Sequence, residues 1–138
     1  MFRRSLFYFN HISLNQVMGI VRAKQVNDPL AATKMLIDVR STAEVAQTGM
    51  IPTAINIPLS ILPDVLNYDN NDLTENDFEE TFKIKCPVKG DTILIFYCAH
   101  GVRSAKAAEI AEQLGFTGAL NFSGSWAEWS SAFGGEGK

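Results

Sequence analysis

The sequence predicts an α/β protein, a parallel sheet flanked on both faces by helices. Three observations carry that expectation. Short apolar runs of strand type, at residues 35–39, 54–57, 92–97 and 119–122, alternate with segments of helical character. Such alternation builds parallel sheets, because each return to the sheet needs a crossover helix. The run Thr92-Ile93-Leu94-Ile95-Phe96-Tyr97 ends on Cys98 and passes through a glycine loop into an alanine-rich helix. Finally, 138 residues suit one domain with a real core and leave no room for a second.

The elements follow in order. Ser13 can cap a helix whose apolar stripe is Leu14, Val17, Met18 and Val21. Asn27-Asp28-Pro29 breaks it. The strand 35–39 closes on Asp38 and Arg40, which are expected to pair with each other or with nearby backbone. Pro52 and Pro58 bound the strand 54–57. Residues 60–66 form a short helical turn with Pro63 near its start. The polar, asparagine-rich stretch 67–76 is a surface loop.

Thr74 with Asp77 resembles a capping box, and Phe78 with Phe82 makes an i, i+4 pair in a helix over 75–83. Residues 86–91 turn into the strand 92–97. The helix 103–114 stops at Gly115, a typical residue after a helix end. The strand 119–122 precedes a last helix, 125–133, whose Trp126, Trp129 and Phe133 read as core. Residues 1–11 are then an N-terminal extension, 12–133 the domain and 134–138 a flexible tail.

Composition narrows the function. Apolar residues at 46% and charged residues at 20% are ordinary for a soluble globular protein. A net charge of −3 argues against nucleic acid or an anionic membrane as the main partner. No apolar run approaches the roughly 20 residues of a membrane span. Two cysteines, Cys86 and Cys98, exclude a disulfide framework and a four-cysteine metal site. Free thiols in a reducing compartment are the expectation. No acid precedes Asp28, whereas Arg3, Arg4, Arg22 and Lys24 do, a bias that also suits an organelle address. The cytoplasm is the expected location, with the mitochondrion as alternative. No metal-ligand spacing or P-loop is present, and no cofactor is expected. His11 reads as a plain surface residue.

Chemistry concentrates in Tyr97-Cys98-Ala99-His100-Gly101-Val102-Arg103-Ser104-Ala105-Lys106. The cysteine sits where a strand gives way to a helix N-terminus, whose free amides and positive dipole end favour an anion. A thiol there has its thiolate, the reactive form, stabilised. The helix's first turn carries Arg103 and Lys106 with no acid before Glu109, the reverse of the usual preference. An anion bound between these cations and the amides would account for it.

Cys98 through Arg103, with Ser104, resembles the active-site loop of the rhodanese-type sulfurtransferases. Leu36-Ile37-Asp38-Val39-Arg40-Ser41, followed by Glu44, resembles that family's Asp-Val-Arg segment. Gly49-Met50-Ile51-Pro52-Thr53-Ala54-Ile55-Asn56-Ile57-Pro58 resembles its Gly-His-Ile-Pro-Gly-Ala segment. Gly115-Phe116 and Phe122-Ser123-Gly124-Ser125-Trp126 resemble its last helix–strand–helix turn. The likeness runs from about Ile12 to Phe133. Met50 stands where the family usually has His, and Thr53 and Ser125 where it usually has Gly. These departures bear on local turns rather than on the chemistry of the loop.

The resemblance implies a rhodanese-like fold and a single-domain sulfurtransferase. Cys98 would be the nucleophile, attacking the outer sulfur of a donor such as thiosulfate to form a persulfide, from which a thiol or cyanide removes the sulfur. Ala99, His100, Gly101, Val102, Arg103 and Ser104 would form the substrate-binding loop, with backbone amides converging on the sulfur. His100 could position the donor or be a solvated loop residue. Two alternatives share the fold. Related phosphatases and arsenate reductases place five residues between Cys and Arg, whereas four stand here, a ring suited to a single sulfur atom. Inactive binding modules of the family generally lack the cysteine. A monomer is expected, with small-molecule partners and a thioredoxin-like protein as a further candidate acceptor.

Overall fold

The structure, a computed structural model, describes residues 10–67 and 75–134. Most of the expected loop 67–76, the Thr74 cap, and nearly all of the extension and tail lie outside those residues.

Four parallel strands form one sheet in the order β2-β1-β3-β4. They are β1 (Lys34–Asp38), β2 (Ile55–Asn56), β3 (Ile93–Tyr97) and β4 (Leu120–Asn121). The central pair is in continuous register, from Lys34 opposite Ile93 to Asp38 opposite Tyr97. The outer strands are shorter than the apolar runs suggested, two residues each: Ile55 and Asn56 pair with Ile37 and Asp38, and Leu120 and Asn121 with Ile95 and Phe96. His11 is exposed, and its backbone extends the β4 edge through a bridge to Asn121.

Helix α1 (Leu14–Gln25) starts with the expected Ser13 cap, completed into a capping box by Gln16. A 3₁₀ turn (Pro29–Ala31) leads into β1. Helix α2 (Thr42–Thr48) was not expected from the sequence. It buries none of its residues, so it lacks the apolar stripe by which a helix is recognised. Its Ser41–Glu44 capping box was the available signal. Helices α3 (Leu62–Leu66), α4 (Glu75–Phe82), α5 (Val102–Gln113) and α6 (Ser125–Phe133) fall within a residue or two of the expected spans. Phe78 and Phe82 stack with ring centroids 4.7 Å apart.

Alternation along the central strands divides the core. Met35, Ile37, Val39, Leu94, Phe96 and Cys98 pack with α3, α4 and the alanine face of α5. Leu36, Ile95 and Tyr97 face the other way, onto Val17 and Val21 of α1 and Trp126 and Trp129 of α6. Both faces of the sheet are therefore covered, as the near-continuous hydrophobic strands required.

One ion pair lies inside this packing. Arg40 is 2% exposed and Asp38 is fully buried. Arg40 Nη2 donates to Asp38 Oδ2 at 2.7 Å, and Nε reaches both carboxylate oxygens at 3.1 Å. Two further guanidinium donors go to Thr48 Oγ1 at 2.8 Å and the Gly49 carbonyl at 2.9 Å. The Trp126 ring lies 4.9 Å from the guanidinium carbon. Burial disfavours the Arg40 charge, but the hydrogen bonds and charge of Asp38 outweigh it and raise its pKa. Removing either partner strands the other charge in the core. Arg40→Met and Asp38→Asn are each expected to cost about 3–5 kcal/mol in urea unfolding. The double variant should cost clearly less than the sum of the two.

Candidate active site

The Cys98 loop lies at the carboxyl end of β3, the edge where open parallel sheets bind ligands. The cysteine is 1% exposed. Gly101 precedes α5 as its cap residue in a left-handed conformation, φ +96°, and offers no side chain to the helix's free amides. The sulfur of Cys98 takes that role. Gly101 N–H donates to Sγ at 3.1 Å and Ser104 N–H at 3.4 Å, while the Ser104 hydroxyl lies 3.4 Å away. Ser104 is the third residue of α5, the position whose amide a capping side chain normally accepts. The loop also packs tightly on its neighbour: a Cβ on Gly101 would run into the Ser123 carbonyl.

These donors set the thiol's ionisation. Burial in an apolar environment pushes the Cys98 pKa up. Hydrogen bonds from the Ser104 hydroxyl and from the amides of Ser104, Gly101 and His100 outweigh it, and the net shift is downward.

Arg103 behaves differently from expectation. Its guanidinium grips Glu44 of α2 through Nη1–Oε1 at 2.7 Å and Nη2–Oε2 at 3.0 Å. Lys106 lies 3.6 Å from Glu109. The apparently unopposed cations at the start of α5 are thus met by carboxylates, one from a distant element. The largest lowering of the Cys98 pKa comes from the donors of Ser104, Gly101 and His100, and Arg103, bound first to Glu44, also interacts with the sulfur. Glu44 is held down to about 2, first by Arg103 and then by the Ser41 amide. Its contribution is complete above about pH 4.5 and is lost as the pH falls through about 2. Both side chains are more than a third exposed, so the pair positions more than it stabilises.

The structure brings Cys98, Gly101 and Ser104 together. Ala99 is half-buried at the rim, and His100 and Val102 are exposed there. Among the described residues, the His100 imidazole has no hydrogen-bond partner. Sequence reading missed two contributors: Glu44, quoted only as part of a motif, and Ser125. Thr53 and Ser125, standing where the resembling family usually has Gly, both keep left-handed backbones, φ +72° and +57°. The turn geometry survives the substitutions. Cys86 is buried in the core, its amide bonded to Glu79. A cleft of about 310 Å³, lined in part by Lys24, Lys34 and Cys86, opens at the opposite edge of the sheet, away from Cys98. Cys86 and Cys98 form no disulfide with each other.

A family model described as a rhodanese-like domain matches residues 22–132. The mouse "Thiosulfate sulfurtransferase/rhodanese-like domain-containing protein 3" is 43% identical over 95 residues, covering 69% of this chain and 57% of that protein. The human "Thiosulfate:glutathione sulfurtransferase" is 38% identical over 94 residues, covering 68% of this chain and 76% of the relative. The solved structure of the human single-domain sulfurtransferase TSTD1 superposes with a TM-score of 0.73 at 31% identity, covering 88% of this chain and 96% of that one. Two yeast relatives carry "mitochondrial" in their names. Among the described residues no helix is long and apolar enough to cross a membrane.

Two outcomes test the geometry of the loop. Alkylation of Cys98, followed by mass at its own peptide, should rise with pH through a midpoint below the 9.0 of an unperturbed thiol. Ser104→Ala, which removes a donor to the thiolate, should move that midpoint up. Gly101→Ala should lower stability by about 1–3 kcal/mol through backbone strain and the Ser123 clash, measured by thermal unfolding.

Proposed function

Because the chain belongs to the rhodanese-like domain family, we propose that it is a sulfurtransferase working through a Cys98 persulfide. The observation that carries this reading is the sulfur of Cys98, which accepts the amides that open α5. Such a site stabilises a thiolate before reaction, and the names of the relatives support sulfur as the atom transferred.

The chemistry needs no further group. The Cys98 thiolate attacks the outer sulfur of thiosulfate. The S–S bond of the donor breaks, and sulfite leaves with its electron pair. The new persulfide carries its negative charge on the outer sulfur, where amides of the loop 99–104 can receive it. A thiol such as glutathione, or cyanide, then attacks that sulfur, and Cys98 leaves as thiolate. Two displacements through a covalent intermediate give ping-pong kinetics. Ala99, His100 and Val102 border the path to the sulfur, and Gly101 and Ser104 supply donors. Arg103, whose pair with Glu44 is more than a third exposed beside the loop, is the cation that attracts the anionic donor.

The catalytic unit is residues 12–133, acting as a monomer in the cytoplasm. A thioredoxin-like protein is a further candidate acceptor. Subcellular fractionation distinguishes the cytoplasm from the mitochondrion. The phosphatase alternative has no observation in its favour.

Cys98→Ser is expected to cut thiocyanate formation from thiosulfate and cyanide to less than about a hundredth, since a serine hydroxyl is scarcely ionised. Cys86→Ser should keep its activity and lose only stability, because it introduces a hydroxyl into the core. Retained turnover in Cys98→Ser rejects this nucleophile.

Opposite effects are expected from the two halves of the surface ion pair. Arg103→Ala should raise KM for thiosulfate by about twofold to fivefold, and Glu44→Gln, which keeps the helix cap, should lower it. Added salt should shrink both effects. Shifts in the same direction would make the pair a brace and not a lure.

A further inference from the structure

Position 125 is an unfavourable place for a serine. Its backbone is left-handed, φ +57°, a conformation that suits glycine and costs any residue with a Cβ. Its side chain is nevertheless fully buried. The hydroxyl has two partners. Oγ lies 2.8 Å from the Phe122 carbonyl and 3.1 Å from the Cys98 backbone nitrogen. A carbonyl can only accept, so the single hydroxyl proton goes to Phe122 and a lone pair faces the Cys98 N–H.

The surrounding backbone completes the hold. Trp126 N–H donates to the Cys98 carbonyl at 2.9 Å, and Ala127 N–H to the Ala99 carbonyl at 3.1 Å. Both main-chain polar groups of Cys98 are therefore held by the first residues of α6. β3 ends at Tyr97, one residue before the cysteine. Among the described residues, the acceptor for the buried Cys98 amide is Ser125 Oγ. A buried amide without an acceptor is costly enough to distort its surroundings.

We infer that Ser125 is a positioning residue, whose hydroxyl pins the Cys98 main chain so that Sγ stays within reach of the Gly101 and Ser104 amides. Those contacts, at 3.1 and 3.4 Å, leave little room for drift. A small rotation of residue 98 would lengthen both. The local strain is kept because it places an acceptor that glycine lacks. This inference rests on Cys98 being the nucleophile, but its test does not need turnover.

Two variants separate positioning from support. Ser125→Gly removes the hydroxyl and also the strain, so its melting temperature should stay within about 2 °C of wild type. Ser125→Ala removes the hydroxyl and keeps the strain, so it should melt lower. In both, the midpoint of Cys98 alkylation should rise by about half a pH unit, as the sulfur loses its amide donors. Their kcat/KM with thiosulfate should fall about fivefold to tenfold, with kcat carrying the loss. A glycine variant matching wild type in both midpoint and kcat/KM overturns the inference, whatever its melting temperature. If the wild-type protein itself fails to turn over thiosulfate, the functional reading falls. The alkylation midpoints then decide the role of Ser125 alone: raised midpoints uphold it and unchanged ones overturn it.

Discussion

The buried pair of Asp38 and Arg40 is the interaction on which the Cys98 end of the sheet depends. Asp38 ends β1, so its carboxylate is fixed by the centre of the sheet. Arg40 directs its charge to that carboxylate and two further donors to Thr48 and Gly49, the end of α2. α2 has no buried residue of its own to anchor it. It is carried by the arginine and by the cap at Ser41. Glu44, on the same helix, then reaches Arg103 at the start of α5. Asn56 adds a second stitch, donating to the Asp38 and Arg40 carbonyls at 3.0 Å each. A charge pair in the core thus sets the register of loops that hydrophobic packing alone would leave free. The desolvation it incurs is offset by the Asp38 carboxylate and by hydrogen bonds to Thr48 and Gly49.

At Cys98 the same contest has a different settlement. An apolar core surrounds a group that must ionise, and burial opposes it. No full positive charge faces the sulfur alone; Arg103 is shared with Glu44. The compensation comes from short-range dipoles, the amides and hydroxyl around the sulfur. Dipoles fixed by the fold need no reorganisation when the thiolate forms. Under the proposed sulfur transfer they would also suit a sulfur that leaves as easily as it attacks, since a permanent ion pair would hold the thiolate too well.

The strand–loop–helix unit around Cys98 was legible because each part leaves a separate mark: a continuous apolar strand, a glycine at the turn, a helix of small residues. Trp126, Trp129 and Val17 were likewise legible as core, since their spacing shows one face. α2 was not, because a helix held by a polar cap and one distant arginine has no apolar period to detect. The partnership of Glu44 with Arg103 spans 59 positions and could not be read from local spacing. Ser125 was visible only as a residue out of place. Its bond to the Cys98 amide depends on how α6 meets β3, which is a property of the assembled fold. Two-residue β2 and β4 show the reverse error: apolar runs mark burial, and burial extends beyond the hydrogen-bonded ladder.

The sulfur of Cys98 belongs to a residue with almost no exposed surface. It is enclosed by the core on one side and by its own loop on the other. A second sulfur bonded to it would stand about 2 Å further out. In the proposed persulfide the charged outer sulfur would be the accessible atom, while the protein's sulfur stays behind it. An incoming thiol meets the cargo before it meets the carrier. The alternative attack, on the inner sulfur, would leave the protein trapped in a mixed disulfide and release the cargo as sulfide. In the proposed sulfur transfer, enclosure of Cys98 would therefore act as a regiochemical filter, choosing between two sulfurs of one bond by depth alone.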